Sequence, residues 1–186
     1  DRGYTEFYHR QELAPRTLLL AQYEQWYDRD FVKDFFYKTY RNRTGPRTFV
    51  NLTHTRPGQI LTATAAVSTH DFTRETEKLP EVSYHLLERR LAKRLYLTLD
   101  SVSGYYDRTR SDDDAGRSVN IARLSYDWNL GQGVGITPFV EGEGTWYSET
   151  RARDDGSDEF RFSGVAGITA QARFHRAYAG RWGFSS

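Results

Sequence analysis

Apolar and polar residues alternate with a period of two along most of the chain. In 93–106, Leu95, Leu97 and Leu99 fall on one side while Tyr96, Thr98 and Asp100 fall on the other. That is the pattern of a strand with one apolar and one polar face. In 59–69, Leu61, Ala63, Ala65 and Val67 oppose Thr62, Thr64 and Ser68 in the same way, and Val134, Ile136, Pro138 and Val140 oppose Thr137, Glu141 and Glu143. In 16–27, Leu19, Ala21 and Tyr23 stand against Gln22 and Glu24, although Leu18, Leu20 and Trp26 blur the alternation. Further strands are predicted at 3–11, 47–54, 80–88, 118–129 and 159–172, about nine in all.

The links between these strands alternate in length. Short turns are expected at 12–15, 55–58, 89–92 and 130–133, and longer polar links at 28–46, 70–79, 107–116 and 149–158. In an antiparallel up-and-down meander every second link lies at the same end. All short turns then share one rim and all long loops the other, the asymmetry of transmembrane β-barrels of outer-membrane type. The expected fold is therefore all-β, an up-and-down meander forming part of such a barrel.

Aromatic placement sharpens that picture. The doublets Trp26-Tyr27, Tyr105-Tyr106 and Trp146-Tyr147 each stand at the end of a strand, directly before a long loop. Amphipathic rings at one height are expected to form a girdle at the bilayer interface. One segment departs from the β pattern: after Asp28 and Asp30, Phe31, Phe35 and Phe36 follow at helical spacing, predicting a short helix in the first long loop with one of these Asp residues as N-cap. Pro138, mid-strand, lacks a ladder donor, which predicts a bulge or a missing hydrogen bond there.

Composition then removes whole classes of function. The chain has 186 residues, no Cys, and 26 basic against 25 acidic residues, of which only four of the basic ones are Lys. Absence of Cys excludes disulfide scaffolds, zinc ribbons and thiol catalysis. With charges nearly cancelling and no concentrated basic face, nucleic acid is not an expected partner. The longest aliphatic run, Leu18-Leu19-Leu20-Ala21, is far short of the ~20 apolar residues of a membrane helix. No signal peptide is recognised, and without an initiator Met the chain is expected to be a piece of something longer.

The residues also resemble the barrel domain of the LPS-assembly protein LptD (organic solvent tolerance protein) family. His9-Arg10-Gln11 is similar to that family's His-x-Gln strand, and Asp28-Arg29-Asp30-Phe31-Val32-Lys33-Asp34-Phe35-Phe36 to its loop motif of paired Asp-aromatic steps. Glu77-Lys78-Leu79-Pro80-Glu81-Val82 resembles a strand start of the family. Ala122-Arg123-Leu124-Ser125-Tyr126, Gly135-Ile136-Thr137-Pro138-Phe139-Val140 and Thr145-Trp146-Tyr147 resemble its paired strands. The resemblance implies a Gram-negative outer-membrane barrel that receives lipopolysaccharide from periplasmic bridge proteins and delivers it to the outer leaflet, surrounded by outer-membrane lipids and holding an LptE-like plug lipoprotein. Residues 1–186 would be a sector of that barrel, without the periplasmic jellyroll or the closing strands. The family's cysteines are absent. Two other expectations remain: another outer-membrane barrel, either a porin-like channel or a barrel enzyme, and a soluble β-sheet module that binds glycans.

Catalytic chemistry is weakly signalled. His9, His54, His70, His85 and His175 have no metal-ligand spacing. Ser83 and His85 share a strand face but need an orienting group and an oxyanion donor as well. Gly131-Gln132-Gly133-Val134-Gly135 lacks the strand-to-helix setting of a dinucleotide loop and predicts a hairpin turn. The acidic stretches Asp112-Asp113-Asp114 and Asp154-Asp155-Gly156-Ser157-Asp158-Glu159 lack the ligand pattern of an EF-hand. No catalytic, cofactor or metal site is assigned. The expected functional surface is a polar lumen formed by Gln22, Glu24, Thr62, Thr64, Tyr96, Thr98, Asp100, Thr137, Glu141 and Glu143. Arg123 and Arg161 would contact phosphate if they faced it, and a slip of one residue would turn them away.

Overall fold

A computed structural model describes residues 3–42, 47–69, 76–108, 114–131, 133–148 and 158–172. Its strands are β1 (Tyr4–Ala14), β2 (Thr17–Trp26), β3 (Thr48–Arg56), β4 (Gln59–Val67), β5 (Thr76–Ala92), β6 (Leu95–Arg108), β7 (Asp114–Tyr126), β8 (Trp128–Gly131), β9 (Val134–Tyr147) and β10 (Glu159–Ala172). Two short helices, α1 (Arg29–Phe35) and α2 (Tyr37–Asn42), lie between β2 and β3. All strands belong to one antiparallel sheet in the order β1-β2-β3-β4-β5-β6-β7-β9-β10, with β8 paired to β9. β1 and β10 stand at opposite ends of that order, and the sheet is not closed.

Sequential neighbours pair because two-residue turns return the chain directly. Pro15-Arg16, Pro57-Gly58 and Lys93-Arg94 make such turns, and Gly131 and Gly133 flank the fourth. Arg16, Gly58, Gly131 and Gly133 all have positive φ, at 69°, 72°, 86° and 80°, a region that glycine enters without a Cβ penalty. The long links, 27–47, 68–75, 109–113 and 148–158, all fall at the other end. The glycine-rich run thus makes a hairpin.

Several boundaries differ from the sequence reading. β5 starts at Thr76 and runs to Ala92, well past the expected 80–88, so the following turn is at Lys93-Arg94. Its register against β6 shifts between Leu86 and Arg89 and again between Arg90 and Ala92. These irregularities absorb a charged, turn-like stretch into the strand. The predicted strand 118–129 divides into β7 and β8 around Asp127. Pro138 accounts for the break. Its pairing with Ile168 of β10 is regular, whereas on the other side the ladder stops at Ser125↔Phe139 and resumes at Trp128↔Ile136. The two pairs are in step, so no residue is inserted. The hydrogen bonding lapses without a bulge, as expected where proline supplies no N–H.

α1 is capped by Asp28, whose Oδ1 accepts the backbone N–H of Asp30 at 2.9 Å. Phe31 lies 4.9 Å from Phe35 and 6.0 Å from Phe36, centroid to centroid, and Phe36 lies 5.9 Å from Tyr4 of β1. Among the described residues, the largest fully buried side chains are Trp26, Glu24 and Val32, so this small core sits where the helical segment meets β2. Elsewhere the sheet is one layer thick.

Candidate functional site

Residues directly opposite one another in an antiparallel ladder project to the same side, so the registers assign every strand position to a face. Gln22 pairs with Phe49, Asn51 with Thr64, Thr53 with Thr62, and Thr62 with Ser83. His85 pairs with Asp100, Thr98 with Arg123, and Arg123 with Glu141. Glu143 pairs with Ile121 and Ser163, Thr137 with Thr169, and Thr145 with Arg161. All ten residues expected in a lumen therefore share one side of the sheet. The same side carries Arg123 and Arg161, which the sequence alone left in two registers.

Side-chain contacts both across and along the strands knit this polar face. Asn51 Nδ2 donates to Thr64 Oγ1 at 2.7 Å, and Thr53 Oγ1 donates to Asn51 Oδ1 at 2.9 Å. His85 Nδ1 is 2.6 Å from Asp100 Oδ1. Lys78 Nζ contacts Glu81 Oε1 at 2.6 Å, and the Tyr106 hydroxyl donates to Glu81 Oε2 at 2.7 Å. Arg123 lies 3.7 Å from the Phe139 ring centroid and 3.7 Å from Glu141 Oε2. Arg117 and Arg161 flank the Tyr147 ring at 5.4 and 5.9 Å. Sequence reasoning missed the Arg117–Tyr147–Arg161 arrangement. Its signal is present, since the alternation of 115–119 places Arg117 in step with Arg123.

Glu24 differs from the other nine. It is fully buried, and its carboxylate accepts hydrogen bonds from Trp26 Nε1 at 3.0 Å, the Arg47 backbone N–H at 3.1 Å and Gln22 Nε2 at 3.3 Å. Its backbone oxygen accepts from Thr48 Oγ1 at 3.1 Å and Thr69 Oγ1 at 2.7 Å. These bonds tie β2 to the chain returning from the helical loop and to the end of β4. Glu24 is a structural anchor at the long-loop rim, whereas Thr62, Thr98 and Glu141 are half-buried.

The six girdle aromatics do not act as one set. Adjacent strand residues point to opposite faces, so Tyr105 and Trp146 lie on the apolar side while Tyr106 and Tyr147 lie on the polar side with their charged partners. Trp26 is 2% exposed on the polar face, and Tyr27 is exposed just beyond β2. Each doublet contributes at most one ring to a girdle. Tyr23 and Phe160 stand at comparable heights on the apolar side, and Tyr126 and Trp128 lie on that side at the short-turn rim.

On the apolar face the charged residues of the described strands stand toward the rims, Arg56 and Arg89 toward the short turns and Glu77, Asp107 and Asp114 toward the long links. The positions of β2, β4, β9 and β10 on this side, and those of β6 from Leu95 to Tyr105, include no Asp, Glu, Lys or Arg. Polar residues in its middle bond to one another: Ser101 Oγ donates to Asn120 Oδ1 at 2.7 Å, Asn120 Nδ2 donates to Ser118 Oγ at 3.0 Å, and Ser103 and Ser118 lie 2.8 Å apart.

On the polar face at the short-turn end, residues of β5 to β10 line an open cavity of about 1100 Å³. Among the described residues no group of three or more His, Asp or Glu is placed to hold a metal ion. His70 and His175, Asp112-Asp113 and residues 154–157 lie outside the described residues. Among them, too, no helix is long and apolar enough to cross a membrane, a criterion that does not bear on strands. No protein-family model matches the chain, and no curated protein matches it.

Proposed function

We propose that this chain is a sector of an outer-membrane β-barrel of the LptD type, and that its polar face lines a lumen through which lipopolysaccharide moves to the outer leaflet without covalent chemistry. The observation that carries the membrane part is the separation of charge. The polar face holds Glu81, Asp100, Arg117, Arg123, Glu141, Glu143 and Arg161, while the opposite face of the same strands holds exposed Val140, Phe162 and Ile168. A sheet whose apolar side faces water is unstable against association, whereas in a bilayer that side meets its own solvent.

Dimensions agree. From Leu95 to Tyr105, β6 rises roughly 34 Å at about 3.4 Å per residue. Tilted by about 45°, that length covers roughly 24 Å of membrane, close to the ~25 Å apolar band of such barrels. The short turns then mark the periplasmic rim and the long links the outer one. Cargo is the part supported by the family resemblance, since a hydrophilic wall suits a sugar headgroup but suits any porin as well.

Photo-crosslinking in a lipopolysaccharide-producing cell tests the cargo. Probes at Thr98 and Glu141 are expected to capture lipopolysaccharide, and a probe at Leu97, on the apolar face near the short-turn rim, to capture phospholipid. Capture at Leu97 alone would overturn the transport reading and leave a passive barrel. If the chain behaved as a soluble monomer without detergent, the membrane reading itself would fail.

A further inference from the structure

The open cavity at the short-turn end has a lining that discriminates between ligand classes. We infer that it is a binding site for an uncharged polyhydroxy compound, a neutral saccharide, in preference to a phosphorylated one. The inference stands on the cavity itself and holds whether or not the barrel moves lipopolysaccharide.

Tyr96, Thr98, Ser125, Thr169 and Gln171 line this space. None of these five side chains has a hydrogen-bond partner among the described residues, whereas on the same face Asn51 and Thr64, His85 and Asp100, and Tyr106 and Glu81 are bonded across the strands. Three hydroxyls, a phenol and a primary amide both donate and accept, which matches a sugar hydroxyl in either role. The strand registers hold them in fixed rows: Tyr96 lies directly opposite Ser125, and Thr98 opposite Arg123. At about 1100 Å³ the space is large enough for several sugar rings.

The charged lining points away from an anion. Glu88 and Asp127 are carboxylates, and among the described residues Arg123 is the one cation on the wall. That guanidinium already stacks on Phe139 and faces Glu141, each at 3.7 Å. A phosphate entering here would meet two carboxylates and a cation already occupied, whereas a neutral sugar carries no charge to be repelled.

The test uses the full chain in a zwitterionic, sugar-free detergent on an array of neutral oligosaccharides and their phosphorylated counterparts. Wild-type protein is expected to bind neutral glycans. Gln171→Ala and Tyr96→Ala are each expected to weaken that binding about tenfold, equivalent to about 1.4 kcal/mol, while Gln59→Ala, on the opposite face of the sheet, leaves it unchanged. Folding of each variant is checked by heat-modifiable migration. The inference is overturned if no glycan binds wild-type protein, if only phosphorylated glycans bind, or if folded Gln171→Ala and Tyr96→Ala retain full binding. None of these outcomes depends on membrane transport, so failure here leaves the transport reading intact.

Discussion

The two faces of this sheet are built from alternate residues of the same strands, yet they are held together by different means. On the polar face, side chains pair across strands: Asn51 with Thr64, His85 with Asp100, Tyr106 with Glu81. On the apolar face, Phe160, Phe162 and Ile168 are 67%, 71% and 72% exposed, and the described residues place nothing over them. A single-layer sheet has no second layer to bury such groups against, and in water their burial contributes little. The difference shows that the polar face carries its own side-chain pairs, while the apolar face, on the membrane reading proposed above, takes its stability from lipid. Substitutions on the two faces should therefore respond differently to the medium.

The largest effect is expected from introducing a charge into the apolar face. Leu99→Arg is expected to destabilise the protein in phospholipid vesicles by about 2–4 kcal/mol, the cost of Arg near the bilayer midplane. Thr62→Arg, on the polar face opposite Thr53 and Ser83, is expected to stay within about 0.5 kcal/mol. Denaturant titration of vesicle-bound protein measures both, and equal costs would break the comparison. Next comes the anchor at the long-loop rim. Glu24→Ala leaves Trp26 Nε1 and the Arg47 N–H without their acceptor in a buried place, a loss of about 1–3 kcal/mol, with faster proteolysis in 27–47 as a second readout. Glu143→Ala, exposed on the same face, is the neutral control. Tyr106→Phe removes one hydrogen bond to Glu81 and is expected to cost about 1 kcal/mol in the same titration. The smallest effect is expected at Asn120, which bridges Ser101 and Ser118 on the apolar face. Asn120→Ala is expected to cost about 0.6 kcal/mol in vesicles, the average for polar contacts in membranes.

Much of this arrangement is legible in the sequence because a period of two admits only two registers. Once Leu95, Leu97 and Leu99 are assigned to one side, Tyr96, Thr98 and Asp100 must take the other, and a slip would exchange the faces completely. The helix start was equally local, since Asp28 needs only the N–H of Asp30. What escaped the sequence depends on partners distant along the chain. Arg123 and Arg161 are oriented by pairing with Glu141 and Thr145. Glu24 reads as one more lumen carboxylate until Arg47 and Trp26 close over it. The charged run after Leu86 looks like a turn because the irregular pairing of β5 with β6 that carries it onward has no pattern of its own. The aromatic doublets mislead for a simpler reason, as two neighbours in a strand cannot share a face.

The central claim is that alternate residues of one strand meet lipid and water, and the absence of Cys makes the chain ready for a direct test. Single cysteines at each position from 95 to 105 on β6, spin-labelled and reconstituted in vesicles, report collisions with lipid-soluble oxygen and with a water-soluble nickel chelate. Oxygen accessibility is expected to peak at the odd positions from 95 to 99 and chelate accessibility at the even positions 96, 98 and 100, in antiphase. Equal chelate access at odd and even positions would contradict a lipid-facing side, as would oxygen peaks at the even ones.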